Sequence, residues 1–195
     1  KNTALRTDRS KVIGLLKRGA NLAVNENKIG DFKDLGMEPK LETSEAISRA
    51  TAVIDCTPSG IGHKNKEIFY QKFSESVKGF MAQGSEDGFG VKYARNINDE
   101  VLKDDNCQFV QVVSCNTHNI SCIAKTLTID GYGPENLIDG RFVCIRRAND
   151  TSQSGGFIAA PSVGSHSDDI YGSHHAKDAS ELFSTLGYEL NLFSS

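Results

Sequence analysis

The fold of this chain is decided by one stretch, FVQVVSCNTH at residues 109–118. Its first five residues are mostly β-branched and apolar, the composition of a buried strand in a parallel sheet. The pattern breaks at Ser114, and Ile120, Ile123 and Leu127 then follow at roughly helical spacing. The stretch therefore predicts a strand that ends in a helix, with Cys115 at the junction.

A cysteine at such a junction faces the free N–H groups and the positive end of the helix dipole. Both favour the thiolate, which is the nucleophilic form of the side chain. The same N–H groups can hold an oxyanion, so they would stabilise an intermediate formed on Cys115. The alternative at this point is a buried structural cysteine.

Strands and helices alternate along the first part of the chain. Apolar runs predict strands at residues 22–24, 52–56 and 77–82, and helices separate them, one of them capped by Thr43 or Ser44. This order is typical of an α/β fold with a doubly wound parallel sheet. Ligands bind such sheets at the carboxyl ends of the strands, so we expect the loops at 57–62 and 83–86 to lie on the same edge as Cys115.

Composition excludes several function classes. The formal net charge is −3 without a basic stripe, which argues against a nucleic-acid partner. No apolar run reaches the ~20 residues that span a bilayer. The five cysteines form no C-x-x-C pair, so neither a disulfide framework nor a metal site is predicted. Reduced thiols of this kind suit a cytoplasmic protein.

The last third of the chain carries candidate anion ligands. Residues 141–147 predict a strand that ends in Arg146 and Arg147, and His174 and His175 follow further on. Guanidinium and imidazole groups both donate hydrogen bonds to phosphate oxygens. A merely solvated charged face is the alternative for these residues.

Several segments together resemble the archaeal (type II) family of glyceraldehyde-3-phosphate dehydrogenases. The resemblance covers residues 55–178 and depends on five motifs in the family's order: Asp55-x-Thr57-Pro58-x-x-Ile61-Gly62-x-x-Asn65, Gln83-Gly84-x-Glu86, Val112-Val113-Ser114-Cys115-Asn116-Thr117, Arg146-Arg147-Ala148-x-Asp150 and Ser173-His174-His175-x-x-Asp178. It implies an incomplete Rossmann-like, dinucleotide-binding domain at residues 1–114 and part of an α+β catalytic domain at 115–195. It also implies a homotetramer.

The family's reaction implies roles for individual residues. Cys115 would attack the aldehyde of glyceraldehyde 3-phosphate, hydride would pass to NAD or NADP, and inorganic phosphate would cleave the thioester to 1,3-bisphosphoglycerate. Asn116 would orient the carbonyl oxygen. The substrate and phosphate ligands implied by the resemblance are Ser114, Asn116, Thr117, Arg146, His174 and His175. The implied cofactor ligands are Lys1, Thr3, Thr57, Pro58, Gln83, Gly84 and Arg147.

The chain also departs from the family pattern. The first strand and its glycine fingerprint are absent, Ser85 replaces a glycine, and the family's catalytic histidine is expected beyond Ser195. His118 lies where the family has threonine, and we expect it at the edge of the core or in solvent. We therefore expect an internal piece of a longer protein, and residues 1–195 alone should not turn over the substrate at a useful rate.

Two other functions stay open on the sequence alone. A related semialdehyde dehydrogenase also uses a strand-end cysteine on a similar fold. A non-catalytic module that binds a dinucleotide or an anion would need neither the fingerprint nor the base. Selective reactivity of Cys115 separates both enzymes from the module.

Overall fold

The structure, a computed structural model, describes residues 3–84, 86–145 and 168–195. The chain divides into two compact units, residues 1–81 and 82–195. The domain boundary at residue 114 stays a prediction.

The first unit contains four short α-helices and the first strands of the chain. The helices are α1 (Arg9–Lys17), α2 (Ile29–Asp34), α3 (Thr43–Ser48) and α4 (Ile61–Ile68). The strands are β1 (Ala23–Val24), β2 (Leu41–Glu42) and β3 (Ala52–Asp55), with β4 (Gly79–Gln83) at the division between the units. Short 3-10 segments lie at Arg6–Asp8, Glu26–Lys28 and Tyr70–Phe73.

Local sequence explains where these helices begin and end. Gly36, just after α2, has a φ of +67°, a backbone conformation that glycine adopts at little cost. The predicted cap of α3 is wrong: Glu42 is its N-cap residue, and the Glu42 carboxylate accepts a hydrogen bond from the Ser44 N–H at 3.0 Å. Glu42, rather than Thr43 or Ser44, therefore satisfies an orphan N–H of the first turn.

The second unit contains the predicted strand and helix around Cys115. Its helices are α5 (Cys115–Ala124), α6 (Asp130–Tyr132) and α7 (His174–Ser184). Its strands are β5 (Val91–Tyr93), β6 (Phe109–Val112), β7 (Gly140–Phe142) and β8 (Leu192–Ser194). Two 3-10 segments, Asp99–Lys103 and Pro134–Asn136, and a π-helical turn, Lys125–Ile129, complete it.

The strands pair in parallel. A four-stranded sheet has the order β3-β4-β6-β5, and β5 and β6 pair with Val91 opposite Val110. Two-stranded parallel pairs join β1 to β2 and β7 to β8. Helices that alternate with parallel strands confirm the predicted α/β, Rossmann-like sheet in incomplete form.

Each unit has its own apolar core. In the first unit Val24, Phe32 and Met37 are fully buried, next to Val12 and Leu22. In the second unit, the core lies largely between α5 and α7, and its buried residues include Ile120, Ala124, Ala176, Ala179, Leu182 and Phe183. Among the helices that the structure describes, none is long and apolar enough to cross a membrane.

Candidate active site

Cys115 is the first residue of α5, directly after the turn that leaves β6. Ser114 is the N-cap residue, and its Oγ accepts a hydrogen bond from the Thr117 N–H at 3.2 Å. This capping bond satisfies one of the orphan N–H groups of the first turn and fixes the direction in which the helix starts. The Cys115 side chain is exposed. The structure therefore places an accessible thiol at a helix N-terminus.

One face of α5 anchors the position of Cys115. Thr117, Ile120, Ser121 and Ala124 are buried, and the Ser121 hydroxyl donates to the Thr117 carbonyl at 2.8 Å. Because these residues repeat every three to four positions, they form a stripe that packs against α7. Packing of α5 on α7 brings the first turns of the two helices together.

His175, in the first turn of α7, contacts the residues on both sides of Cys115. Its Nδ1 lies 3.1 Å from Ser114 Oγ, and its Nε2 lies 3.2 Å from Asn116 Nδ2. An amide nitrogen only donates, so Nε2 accepts this hydrogen bond and the ring proton is assigned to Nδ1. Nδ1–H then donates to Ser114 Oγ, which in turn lies 2.9 Å from Thr117 Oγ1.

His174 lies beside His175 and is exposed. The centroids of the two rings are 3.9 Å apart. Five of the predicted substrate and phosphate ligands thus lie together around the start of α5 or α7: Ser114, Asn116, Thr117, His174 and His175. Their roles stay predictions. Arg146, which completes this predicted set, lies outside the described residues, and so do Arg147 and Lys1 of the predicted cofactor ligands.

Gly84 approaches the same turn from the end of β4. A Cβ placed on Gly84 would lie 2.6 Å from the Ser114 backbone nitrogen, closer than real Cβ contacts allow. Fully buried Gln111 holds the loop in place, because its Oε1 accepts from the Gly88 N–H at 3.1 Å and its Nε2 donates to the Gly84 carbonyl at 3.4 Å. A side chain at position 84 would clash with the Ser114 backbone, so glycine is required here. This requirement does not depend on what else Gly84 and its neighbour Gln83 contact.

His118 does not reach toward Cys115. Its Nε2 lies 3.0 Å from the Arg95 carbonyl oxygen, and the residue is half-buried. A proton on Nε2 suits this hydrogen bond. The structure thus gives His118 a contact at the edge of the core, where it was expected, and its role stays a prediction.

In the first unit, the Asp55 carboxylate organises the loop after β3. Oδ1 accepts hydrogen bonds from the Thr57 N–H at 2.8 Å and from the Thr57 hydroxyl. Oδ2 accepts from Asn65 Nδ2 at 2.8 Å and from the Tyr70 hydroxyl at 2.6 Å. Burial alone would raise the pKa of Asp55, but these hydrogen bonds outweigh it and hold the pKa below its ordinary value. The carboxylate therefore fixes the Thr57–Pro58 turn.

A groove of about 730 Å³ opens beside this turn. Both apolar and polar side chains line the groove, and the predicted cofactor ligands Thr3, Thr57 and Pro58 are among them. The lining residues are Thr3, Asn25, Thr43, Ile47, Ile54, Asp55, Cys56, Thr57, Pro58, Ile61, Asn65, Phe69 and Tyr70. In the described parts of the chain, Thr43 Oγ1 is the buried side-chain polar atom that lacks a hydrogen-bond partner. Such an atom in a groove of ligand size indicates a site for a polar group of a ligand.

Sequence reasoning missed the polar residues that support these sites. Lys92, Gln111 and Tyr70 make buried hydrogen bonds, yet they stand in strands or helical turns without a recognisable motif. A polar residue inside an apolar strand pattern, such as Gln111 within β6, was the available signal.

No family model matches this chain. Comparison with known proteins finds several similar relatives named glyceraldehyde-3-phosphate dehydrogenase. The protein from Picrophilus torridus is 31% identical over 84% of this chain and 45% of its own length. The one from Methanobacterium bryantii is 30% identical over 95% of this chain and 55% of its own, and that from Pyrobaculum neutrophilum is 27% identical over 75% and 44%. The chain spans about half the length of the relatives it matches.

Proposed function

We propose that this chain takes part in the phosphorylating oxidation of glyceraldehyde 3-phosphate. The proposal builds on its similarity to archaeal glyceraldehyde-3-phosphate dehydrogenases over most of its length. The products are 1,3-bisphosphoglycerate and reduced NAD or NADP. The observation that carries the proposal is the exposed Cys115 thiol at the start of α5, bordered by Ser114, Asn116 and His175.

In this proposal the Cys115 thiolate forms a bond to the aldehyde carbon, and the carbonyl oxygen becomes an oxyanion. The amide of Asn116 and the free N–H groups of the first turn of α5 supply hydrogen bonds to that oxygen. NAD or NADP, when bound, accepts the hydride from this carbon. Loss of the hydride restores the carbonyl and leaves a thioester, and attack of inorganic phosphate on the thioester carbon releases the Cys115 thiolate.

The double histidine supports a site for phosphate groups. His174 is exposed beside the first turn of α7, where it can donate a hydrogen bond to a phosphate oxygen. Both ring nitrogens of His175 contact Ser114 and Asn116, so in this arrangement His175 orients the two residues that border the nucleophile, and we propose that it acts on phosphate through them. Arg146 and Thr117 complete the proposed substrate and phosphate ligands.

The groove of the first unit fits part of a dinucleotide. Ile47, Ile54 and Phe69 provide apolar walls, and the Thr43 hydroxyl supplies a hydrogen-bonding group that the protein itself does not use. A nucleoside combines a flat, largely apolar base with polar ring atoms and ribose hydroxyls, which suits such a lining. We propose that Thr3, Thr57 and Pro58 contact the cofactor here, and that Gln83, Gly84, Arg147 and Lys1 do so elsewhere along the chain.

Exposed apolar side chains in the second unit support association with further protein surface. Ile138, Val143 and Ile145 are 86%, 77% and 92% exposed. Exposed apolar side chains of this size can be covered by contact with other chains or segments. We propose a cytoplasmic homotetramer as the working form of the protein.

Alkylation by iodoacetamide near neutral pH, followed by mass spectrometry of each cysteine, tests the proposal. Cys115 should react roughly tenfold faster than Cys122, which is also exposed and lies on the same helix away from its N-terminus. Cys107 and Cys144 should react most slowly, because burial raises the pKa of both thiols. Equal rates at Cys115 and Cys122 would instead support a non-catalytic binding module.

A further inference from the structure

Lys92 is a buried cation in the second unit that the proposed reaction does not use. Its side chain is only 8% exposed, and its Nζ contacts three carboxylates. Asp178 and Glu181, both on α7, lie 2.5 Å away, and Asp87 lies 3.0 Å away. Asp178 is as deeply buried as Lys92, with 7% of its side chain exposed, whereas Asp87 and Glu181 reach solvent.

Stability alone does not account for a buried ion pair. The cost of removing two charges from water offsets most of their attraction, and apolar side chains of similar size often support a fold equally well. An ion pair does differ from an apolar contact in one respect, because it defines where each partner must lie. In the first half of α7 the buried apolar residues are Ala176 and Ala179, whose small side chains offer few ridges, whereas the larger Leu182 and Phe183 lie near its other end. A polar contact can add to the register in the first half.

The contact with Lys92 is one helical turn from His175. A shift of α7 by one residue would move His175 by about 1.5 Å along the helix axis and turn it by about 100°. Either movement would break its contacts of 3.1 Å with Ser114 and 3.2 Å with Asn116. A second polar contact holds the far end of α7, where Asn98 Nδ2 donates to Thr185 Oγ1 at 3.0 Å and to the Lys92 carbonyl at 2.9 Å.

We propose that Lys92 and Asp178 are positioning residues, whose ion pair sets the register of α7 and thereby holds His175 against Ser114 and Asn116 beside the Cys115 thiol. The geometric part of this proposal stands by itself, and its consequence for catalysis rests on the proposed function.

The charge state of Lys92 agrees with this role. Burial alone would lower the pKa of Lys92, but hydrogen bonds to Asp178, Glu181 and Asp87 outweigh burial and raise the pKa above its ordinary value. Lys92 therefore stays charged throughout the neutral pH range. Its ion pair with Asp178, which we propose orients α7, is kept over the same range.

The tautomer of His175 provides the test, because it is assigned by contacts that depend on the register of α7. A free imidazole carries its proton mainly on Nε2, whereas the contacts of His175 place it on Nδ1. Nitrogen NMR of the side chain distinguishes the two forms. We expect the Nδ1–H form in the wild type and in Lys92→Arg, which keeps the cation, and a return toward Nε2–H in the double variant Lys92→Met/Asp178→Leu.

The double variant separates positioning from stability, because it replaces the ion pair by apolar side chains. We expect a cooperative unfolding transition like that of the wild type together with the changed His175 signal. The control is Lys103→Met/Glu100→Gln, which removes an ion pair of the same unit whose side chains are 73% exposed and should change neither readout. An unchanged His175 tautomer in the folded double variant overturns the proposal, and so does a double variant that does not fold.

Kinetics in an active form of the protein test the catalytic consequence separately. The double variant should lose roughly tenfold to a hundredfold in kcat/KM, and Lys92→Arg should retain most of it. An active Cys115→Ser variant would contradict the proposed function. In that case the NMR result still tests the positioning role of Lys92 and Asp178.

Discussion

Asp55 is a single carboxylate that accepts hydrogen bonds from three side chains, so its replacement tests how far one residue fixes the turn after β3. Asp55→Asn replaces one of the two acceptor oxygens by an NH₂ donor, which would face either Thr57 or both Asn65 and Tyr70. We expect the free energy of unfolding at neutral pH to fall by roughly 1–3 kcal/mol in a urea titration. Asp31→Asn, which removes only an exposed contact with Lys28, should change it by less than about 0.5 kcal/mol.

The pH dependence of this difference has a definite sign. The folded protein holds the pKa of Asp55 below its ordinary value of 3.8, so the stabilisation is fully present above that value. It is lost as the pH falls through the lowered pKa of the folded state. The difference in the free energy of unfolding between wild type and Asp55→Asn should therefore be constant near neutral pH and become smaller below about pH 4. A difference in the free energy of unfolding that stays constant below about pH 4 would show that the Asp55 carboxylate is not the source of the stabilisation.

The turn after β4 depends on the absence of a side chain at Gly84. Gly84→Ala would force the Ser114 backbone away and disturb the start of α5, so the free energy of unfolding should fall by roughly 1–3 kcal/mol. The control is Gly131→Ala in α6, where a Cβ meets nothing within 4 Å and helix propensity predicts a gain of up to about 1 kcal/mol. Equal stability of Gly84→Ala and the wild type, by thermal unfolding, would contradict the close approach.

The elements that the sequence predicted well are those with local signals. The change of period at Ser114 predicted the start of α5. Gly36, just after α2, is a local signal of the same kind, because glycine commonly follows the last turn of a helix. The predicted cap of α3 was wrong because Glu42, a residue type that is not among those preferred at N-caps, stands at the cap position and accepts from the Ser44 N–H.

Contacts between distant residues were not predictable in this way. Lys92 and Asp178 are 86 positions apart, and nothing in the residues around either of them indicates the other. The buried Gln111 and the groove beside Thr43 likewise follow from packing of several elements. The predicted grouping of His174 and His175 with Cys115 came from the family resemblance, since no spacing rule links the first turns of α5 and α7.

At the scale of the whole molecule, each compact unit carries a distinct part of the proposed machinery. Residues 82–195 hold the exposed thiol, the double histidine and the Lys92 contacts, whereas residues 1–81 hold the groove that suits a nucleoside. The chain spans about half the length of the relatives it resembles. Within this chain we therefore propose the nucleophile and its immediate neighbours.

The most direct test of the central claim compares the complete protein with its Cys115→Ser variant. The assay supplies glyceraldehyde 3-phosphate, inorganic phosphate and NAD or NADP, and follows the absorbance of the reduced nicotinamide. We predict steady turnover by the wild type and by Cys122→Ser, and none above background by Cys115→Ser, because a hydroxyl is a far weaker nucleophile than a thiolate. Retention of more than a few per cent of activity by Cys115→Ser would contradict the account.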